Sequence, residues 1–264
     1  MLNTRYAAGA PIWVDLGTPD PERVNAFYRS LFGWEFQSGG PEVGGYSLYQ
    51  TDGKTVAGVM TVAAEQAPPA WMIYFKTPDA DATGKAVEQA GGGTVYEAMD
   101  VGDLGRMGVF TDAQGVGFAV WQPGTNKGLD LVDAPNSLVW TELCTPDIEA
   151  AKEFYGSVFG WGSSTASFAE GSYTMVHPAG GTEDDMFGGL WSLSDSPEEA
   201  EGGPYWIPYF QVADMDAVLA KVEPSGGTVR VARMDLAGVG SFAKLADPCG
   251  ARFALMQPEA PSAG

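Results

Sequence analysis

The sequence predicts an α+β protein made of four βαβββ modules in tandem, two in each half of the chain. Residues 13–34 return in register as residues 140–161, with the same FY and FGW motifs in each copy. Each copy is followed by strand patterns and then by a second module with the same order of elements. Turns rich in Gly, Pro and Asp separate these elements. We therefore expect two similar domains of ordinary size.

The first strand and helix illustrate the unit that is repeated. Residues 12–16, IWVDL, predict a short strand. Asp20 can cap the helix that follows, Pro21 suits its first position, and Glu22 interacts favourably with the positive end of the helix dipole. Gly33 ends the helix. Four side chains share one face at helical spacing and should pack on the core: Val24, Phe27, Tyr28 and Leu31.

The remaining elements follow in the order that the modules require. Strands are predicted at residues 34–37, 46–50, 55–62, 71–76, 94–99, 107–111 and 116–121, with a helix at 79–90. The second half repeats this order, with a strand at 206–212 and a helix at 214–223. The domain boundaries follow from these elements: a loose tail at 1–10, domains at 11–123 and 137–258, a linker at 124–136 and a tail at 259–264. Eight extra residues in the second half predict an acidic loop near 178–204, either a lid or an idle surface loop.

The charge of the chain limits its partners. Fourteen Lys and Arg stand against 34 Asp and Glu, which gives a net charge of −20. Nucleic acids and anionic membrane surfaces need clustered cations, so neither is an expected partner. Such a field would attract a cationic small ligand, although acidity also serves solubility alone. The sequence has no leader pattern and no run of 18 apolar residues, so we expect a soluble, cytoplasmic protein.

The inventory of cysteine and histidine limits the chemistry. Cys144 and Cys249 have no matching cysteine in the other half, so both are expected to stay reduced as small apolar residues. His177 is the single histidine of the chain. Sites that need two or more histidines, such as helical zinc sites and histidine-rich facial triads, are therefore excluded. His177 lies at a strand end before Pro178, and a surface position is the favoured interpretation.

The repeated strand, TPD-type helix start and FGW helix resemble the vicinal oxygen chelate superfamily, which includes glyoxalases, bleomycin resistance proteins and extradiol dioxygenases. The likeness covers about nine tenths of the chain and looks most like two-domain glyoxalase-like proteins of actinobacteria that are labelled hydroxylases. The resemblance implies two cup-shaped curved sheets with helices outside. It also implies that each cup holds a divalent metal or an organic ligand.

The positions that hold the metal in such proteins carry unsuitable residues here. The resemblance implies His, Gln or Glu at four positions of each cup. The windows 56–62 and 186–191, where one of these positions falls in each half, contain no His, Glu, Asp or Gln. The other matching positions are apolar or aromatic: Trp13, Met72 and Ala119 in the first half, and Trp140, Ile207 and Ala254 in the second. None is a ligand for a hard divalent ion, so we expect no metal and no other cofactor.

The alternation of side chains along a strand names the residues that would line each cup instead. In the first half these are Trp13, Asp15, Tyr46, Met60, Met72, Tyr74, Ala119 and Trp121. In the second half they are Trp140, Glu142, Tyr173, Leu190, Ile207, Tyr209, Ala254 and Met256. The aromatic members either fill the core or sandwich a flat ligand, and stacking adds about 0.5–1.5 kcal/mol per ring pair. The small Ala119 and Ala254 favour an open pocket.

Three functions remain open. The first is a metal-independent protein that binds a hydrophobic, polycyclic aromatic molecule, which can also carry a cationic group. Such binding would serve antibiotic sequestration, resistance or transfer of the molecule to a partner enzyme. The second is a cofactor-free enzyme, such as a hydroxylase-like protein, isomerase or cyclase. There Glu142 or Asp15 would act as the base, and Tyr46 or Tyr173 would stabilise an oxyanion. The third is a structural domain with filled cups.

Arg106 and Asp112 are expected to make ion pairs and turns.

Overall fold

The computed structural model describes residues 2–40, 44–168, 171–195 and 199–259. Within these ranges the four modules appear in the predicted order. The strands of the first half are β1 Pro11–Thr18, β2 Glu35–Ser38, β3 Ser47–Thr51, β4 Lys54–Thr61, β5 Ala70–Lys76, β6 Gly93–Val101, β7 Gly105–Thr111 and β8 Gly117–Pro123. Those of the second half are β9 Leu138–Thr145, β10 Gly162–Phe168, β11 Gly171–His177, β12 Gly188–Ser192, β13 Tyr205–Gln211, β14 Thr228–Leu236, β15 Gly240–Ala246 and β16 Arg252–Pro258. The helices are α1 Pro21–Phe32, α2 Ala80–Gln89, α3 Ile148–Phe159 and α4 Met215–Val222.

Each half of the chain forms one curled eight-stranded sheet, which confirms the predicted α+β fold. The strand order is β2-β3-β4-β1-β5-β8-β7-β6 in the first half and β10-β11-β12-β9-β13-β16-β15-β14 in the second. Within each module the first strand pairs in parallel with the last, as β1 does with β4 and β9 with β12. The other strand pairs within each module run antiparallel.

The four helices begin at aspartates in equivalent places. Each caps its helix by accepting the backbone N–H three residues later, at 2.9–3.1 Å: Asp20, Asp79, Asp147 and Asp214. Gly33 and Gly160 end α1 and α3 in the left-handed conformation, as their FGW motifs predict. The predicted apolar face of α1 is confirmed, because Val24, Phe27, Tyr28 and Leu31 are all buried.

The Cα positions group into two compact units, and each unit combines segments from both halves of the sequence. The first contains the described residues of Met1–Val14, Met72–Leu129 and Trp140–Ile207. The second contains those of Asp15–Trp71, Asp130–Val139 and Pro208–Gly264. Helices α2 and α3 pack together in the first unit, and α1 packs with α4 in the second.

Each unit has a buried chain of hydrogen bonds at the centre of its aromatic core. In the first unit, Trp206 Nε1 donates to the Tyr155 hydroxyl at 2.9 Å, and that hydroxyl donates to Asp112 at 3.1 Å. Asp112 also accepts the backbone N–H groups of Gln114 and Val116, which closes the β7–β8 turn. In the second unit the equivalent residues make the same chain: Trp71, Tyr28 and Asp247.

Two segments predicted to be loose are packed. Tyr6 is 3% exposed, and its hydroxyl donates to the carbonyl oxygen of Leu129 at 2.7 Å, so residues 2–10 are anchored to the linker. Leu129 is itself 2% exposed and donates its N–H to the carbonyl of Ile12. Apolar side chains within both turn-rich segments account for this burial. Residues 260–264 of the predicted C-terminal tail lie outside the described residues.

The eight extra residues of the second half are divided between two places. Gly58 follows Tyr46 by 12 positions, whereas Gly189 follows Tyr173 by 16. Tyr74 follows Gly58 by 16 positions, whereas Tyr209 follows Gly189 by 20. Four residues are therefore inserted on each side of β12, and a strand interrupts the predicted 178–204 loop.

In the part of the chain that the structure describes, no helix combines the length and apolar character that a membrane crossing needs.

Candidate functional site

A buried carboxylate and a tyrosine form the centre of the candidate site in the first unit. Glu142 is 3% exposed, and its Oε2 accepts the hydroxyl of Tyr173 at 2.8 Å. The same hydroxyl accepts Trp140 Nε1–H at 2.9 Å. Burial raises the pKa of the Tyr173 phenol well above its ordinary value, and the negative charge of Glu142 raises it further. Tyr173 is therefore a neutral proton donor at physiological pH.

Strand register and one glycine bring these residues together. Trp140 and Glu142 lie two positions apart on β9 and share a face of the sheet. Gly189 on β12 is paired with Glu142. A Cβ atom on Gly189 would lie 2.2 Å from the Tyr173 hydroxyl oxygen, so the phenol occupies the space that a side chain there would fill. The φ angle of Gly189 is not in the left-handed range, so the close approach of the phenol, and not an unusual backbone conformation, explains the glycine.

A second tyrosine and a thiol extend the cluster. Cys144 Sγ donates to Glu142 Oε1 at 3.6 Å, so both carboxylate oxygens accept hydrogen bonds. Burial raises the pKa of the Tyr205 phenol, and interactions with Cys144 and Glu199 add to the effect. Tyr205 donates to Glu199, which is 1% exposed. Four titratable side chains thus form one cluster with Tyr173 in the first unit: Glu142, Cys144, Glu199 and Tyr205.

The second unit contains a simpler version of this arrangement. The Tyr46 hydroxyl donates to Asp15 Oδ2 at 2.9 Å, and Asp15 is 3% exposed. Gly58 is paired with Asp15, and a Cβ atom there would lie 1.9 Å from the Tyr46 hydroxyl oxygen. The four candidate catalytic residues from the sequence therefore form two carboxylate–tyrosine pairs. Their proposed catalytic roles stay predictions.

The predicted lining residues differ in their exposure. Four aromatic rings are almost fully covered: Trp13 at 8%, Tyr74 at 7%, Trp121 at 7% and Tyr209 at 3%. Ala119, Ile207 and Ala254 are fully buried, Met72 and Met256 are partly exposed, and Met60 is 39% exposed. Trp121 also donates its indole N–H to the carbonyl of Asn126 in the linker. Among the predicted rings, Tyr46 and Tyr173 are partly exposed and donate to a buried carboxylate, and Trp140 is partly exposed and donates to the Tyr173 hydroxyl.

One predicted lining residue points away from this site. Leu190 follows Gly189 on β12, is paired with Leu143 and is 1% exposed. Since neighbouring residues on a strand face opposite sides, Leu190 lies on the face opposite Glu142 and Tyr173. The next residue, Trp191, lies on the same face as Gly189, and its ring is 5.9 Å from that of Tyr173. Placing Leu190 at the site was therefore wrong by one residue, and Trp191 takes its place.

Four members of this cluster are not among the site residues predicted from the sequence: Cys144, Trp191, Glu199 and Tyr205. A position-by-position comparison of the two halves contains the signal for three of them. Gly17 matches Cys144, Met60 matches Trp191, and Ala70 matches Tyr205. Where the first half has small or aliphatic residues, the second half thus has a thiol, an indole and a phenol. Glu199 lies in the inserted segment, where this comparison provides no partner.

The remaining predicted residues have structural contacts. Arg106 makes ion pairs of 2.9 Å with both Asp81 and Asp100, and Asp112 closes its turn, as predicted. His177 ends β11, where its ring covers Gly162 and its Nδ1 lies 3.0 Å from the carbonyl oxygen of Pro178.

The residues at the site do not fit a divalent metal. Glu142 and Cys144 are two donors, whereas a closed or catalytic site needs three or more side-chain ligands. The neighbouring Tyr173 is a neutral phenol and Trp140 offers an N–H donor, so neither supplies a lone pair of the required kind. Across the described ranges, no three His, Cys, Asp or Glu residues come together in a group that could hold a metal ion.

Two family models match the chain, one in each half. The model described as the Glyoxalase/Bleomycin resistance protein/Dioxygenase superfamily matches residues 137–255. The model described as a Glyoxalase-like domain matches residues 12–121.

Two curated relatives match the chain over nearly its whole length. The anthracycline biosynthesis protein DauV of a Streptomyces species (strain C5) is 35% identical over 277 aligned residues, which cover 96% of this chain and 95% of the relative. The putative glyoxylase CFP32 of Mycobacterium tuberculosis is 36% identical over 261 residues, which cover 97% of each chain.

Solved structures share the fold at much lower identity. The Mn(II)-bound glyoxalase from Novosphingobium aromaticivorans has a TM-score of 0.64 at 16% identity, covering 95% of this chain and 82% of that one. The 2,2',3-trihydroxybiphenyl 1,2-dioxygenase from Sphingomonas wittichii has a TM-score of 0.64 at 14% identity, covering 95% and 91%.

Proposed function

This chain belongs to the glyoxalase/bleomycin resistance protein/dioxygenase superfamily, and from that premise we propose that it is a metal-independent protein that binds a hydrophobic, planar aromatic small molecule. We place this activity in the biosynthesis or sequestration of an antibiotic or related natural product. The relatives named for anthracycline biosynthesis support that setting, since they match this chain from end to end.

The observation that carries the proposal is the aromatic wall beside Glu142. Trp140, Tyr173 and Trp191 are each partly exposed, and they lie together on one face of the first unit. A flat ring system stacked on such a wall would gain about 0.5–1.5 kcal/mol per ring pair beyond the burial of apolar area. The buried carboxylate below the wall and the net charge of −20 favour ligands that also carry a cationic group.

Binding of a neutral and a cationic anthraquinone tests the proposal. The probes are 1,4-dihydroxyanthraquinone and 1-(3-aminopropylamino)anthraquinone, with binding followed by calorimetry and by the melting temperature. Both should bind and raise the melting temperature, and the amine should bind more tightly at low salt. Trp191→Ala should weaken binding about 10-fold, equivalent to about 1.4 kcal/mol. Tyr96→Ala is the matched control, because Tyr96 is a 65% exposed aromatic residue far from the wall in sequence.

Three results would contradict the proposal. The absence of any binding would favour a domain whose interior is filled by its own side chains. Equal loss of binding in Trp191→Ala and Tyr96→Ala would indicate adsorption to surface aromatics. Binding or activity that appears only after a divalent cation is added would contradict metal independence.

A second function, a cofactor-free enzyme, is favoured by the hydrogen bond between Tyr173 and Glu142. A neutral phenol held on a buried carboxylate can pass a proton between a bound ligand and Glu142. Glu142→Gln separates the two functions. A binding protein should keep most of its affinity for the neutral anthraquinone, whereas an enzyme should keep the ligand and lose its turnover by about 100-fold or more.

A further inference from the structure

Three cations of this very acidic chain surround one open cavity in the first unit. The cavity has a volume of about 370 Å³. Its walls come from the N-terminal segment, the end of β5, the end of β8 and the linker. Six lining residues carry positive charge or hydrogen-bonding groups: Thr4, Arg5, Lys76, Thr77, Gln122 and Lys127. Among the described residues, no carboxylate lines this cavity.

Within the described residues, none of these three cations has a carboxylate partner, unlike Arg106 and Arg233. Arg106 binds Asp81 and Asp100, and Arg233 binds Asp216 and Asp235. By contrast, Arg5, Lys76 and Lys127 form no ion pair with the described residues, although the chain has 34 acidic side chains to offer. Unpaired like charges repel one another, so their convergence costs stability unless an anion joins them.

The geometry holds both ammonium groups, those of Lys76 and Lys127, at the cavity. Lys76 Nζ donates to the carbonyl of Tyr6 at 2.6 Å, and Lys127 Nζ donates to the carbonyl of Gly124. Each ammonium group has three protons, so both keep donors for a ligand. Gln122 Oε1 accepts the N–H of Ala80 at 3.0 Å, which leaves its amide nitrogen as a further donor. The cavity is therefore lined by positioned donors of the kind that phosphate and carboxylate groups require.

A second cavity adjoins the first and is largely apolar. Its volume is about 320 Å³, and both cavities share Lys76, Thr77 and Pro78. The apolar part of its wall is made by Ala8, Ala82, Ala86, Val158 and Phe159. Asp79 also lines it, but this carboxylate caps α2 and would repel an anion there. An anionic head thus fits the first cavity and an apolar body fits the second.

We infer that the two adjoining cavities form a binding site for an amphiphilic anion, with its phosphate or carboxylate head between Arg5, Lys76 and Lys127 and its apolar body against Val158 and Phe159. This site is separate from the aromatic wall at Trp140 and Trp191, and it does not depend on the function proposed there. At position 211, which matches Lys76, the second half of the chain has glutamine.

Calorimetric titration with hexyl phosphate tests the inference, with inorganic phosphate and hexyl glucoside as the head and body controls. Hexyl phosphate should bind saturably and at least 10-fold more tightly than either control. Replacing all three cations by glutamine (R5Q, K76Q, K127Q) should weaken hexyl phosphate binding at least 10-fold. Lys54→Gln is the charge control, because Lys54 is exposed on β4. Ala82→Gln should weaken hexyl phosphate binding but leave phosphate binding unchanged.

Several results would overturn the inference. These are no saturable binding of hexyl phosphate, equal binding by the triple variant and Lys54→Gln, or equal binding of hexyl phosphate and hexyl glucoside. Binding of phosphate that is as tight as that of hexyl phosphate would overturn the amphiphilic class. Trp191→Ala should bind hexyl phosphate normally, so failure at the aromatic wall and failure here are distinguishable. Circular dichroism of each variant establishes that it is folded.

Discussion

Gly189 controls whether Glu142 and Tyr173 can form their hydrogen bond. Its Cα faces the Tyr173 ring so closely that an added Cβ would lie 2.2 Å from the hydroxyl oxygen and 2.3 Å from Cζ. No rotation of the phenol relieves contact with two atoms of a rigid ring while the hydroxyl stays on Glu142. Gly58 occupies the same place beside Tyr46 and Asp15. The two glycines thus define the polar centres as much as the residues that carry charge.

Gly189→Ala should therefore destabilise the protein by about 1–3 kcal/mol, the usual cost of overpacking a buried site. It should also weaken anthraquinone binding, because Tyr173 must leave Glu142 and move toward Trp191. Urea unfolding measures the first effect and calorimetry the second. Gly117→Ala is the control, since a methyl group there would meet the end of the Met72 side chain alone, at 3.9 Å. Equal stability of the two variants would contradict the steric argument.

At the scale of the elements, the sequence predicted the fold well because local signals agree with one another. The Asp caps, the apolar face of α1 and the C-terminal glycine of each FGW helix all act within a few residues. The internal duplication then supplied each element twice. The burial of residues 2–10 was missed because it depends on Tyr6 meeting Leu129, a contact 123 residues away in the sequence.

The candidate site was predicted less completely because it depends on strand register. Side-chain alternation correctly put Trp140 and Glu142 on one face of β9. It could not show that Tyr173 reaches Glu142, since that contact requires the pairing of β9, β12 and β11. The eight extra residues of the second half were predicted to form one loop, which left the alignment of β12 with β4 undefined. For this reason the prediction placed Leu190 at the site, where the structure has Trp191. A shift of one residue reverses the face of a strand, so a small alignment error changes the site.

The Tyr155 hydroxyl joins three elements of the first unit, and its removal should be costly. It accepts from Trp206 on β13 and donates to Asp112 Oδ2 at the β7–β8 turn, so Tyr155→Phe removes this partner from the buried Trp206 N–H and from Asp112 Oδ2, while Asp112 Oδ1 keeps its backbone donors. We expect a loss of about 2–4 kcal/mol in the free energy of unfolding. Tyr49→Phe is the control, because the Tyr49 hydroxyl bonds Asn25 alone and should cost about 1 kcal/mol. Equal melting temperatures for the two variants in calorimetry would contradict this account.

For the molecule as a whole, the distribution of charge separates two kinds of surface. The net charge of −20 disfavours anions near most of the chain, whereas the cavity at Arg5, Lys76 and Lys127 concentrates unpaired cations. The aromatic wall lies beside a buried carboxylate instead. A cationic aromatic molecule and an amphiphilic anion are therefore expected to bind at different places and to respond oppositely to loss of these charges. When both probes are present together, the free energies of binding should be close to the sum of those measured for each probe alone.

Buried tyrosines should make the whole protein sensitive to alkaline pH. Burial raises the pKa of five phenols above the ordinary value near 10: Tyr28, Tyr49, Tyr155, Tyr173 and Tyr205. Above pH 10 the unfolded chain releases these protons while the native protein keeps them, so stability falls as pH rises. Below pH 10 both states are protonated and the contribution is constant. With five such groups, the free energy of unfolding falls by at most about 7 kcal/mol per pH unit. This loss is enough to unfold a typical protein within one to two pH units above pH 10.

Absorbance at 295 nm and far-ultraviolet circular dichroism, recorded together against pH, measure this effect. The main rise in tyrosinate absorbance should coincide with loss of secondary structure, because these phenols ionise only when the chain unfolds. Protein unfolded in urea is the reference, and its tyrosines should ionise near pH 10 in one broad transition. Full ionisation near pH 10 with the circular dichroism unchanged would show that the five hydroxyl groups exchange protons with solvent in the native state. That result would contradict both the buried Trp–Tyr–Asp chains and the neutral Tyr173 on which the candidate site depends.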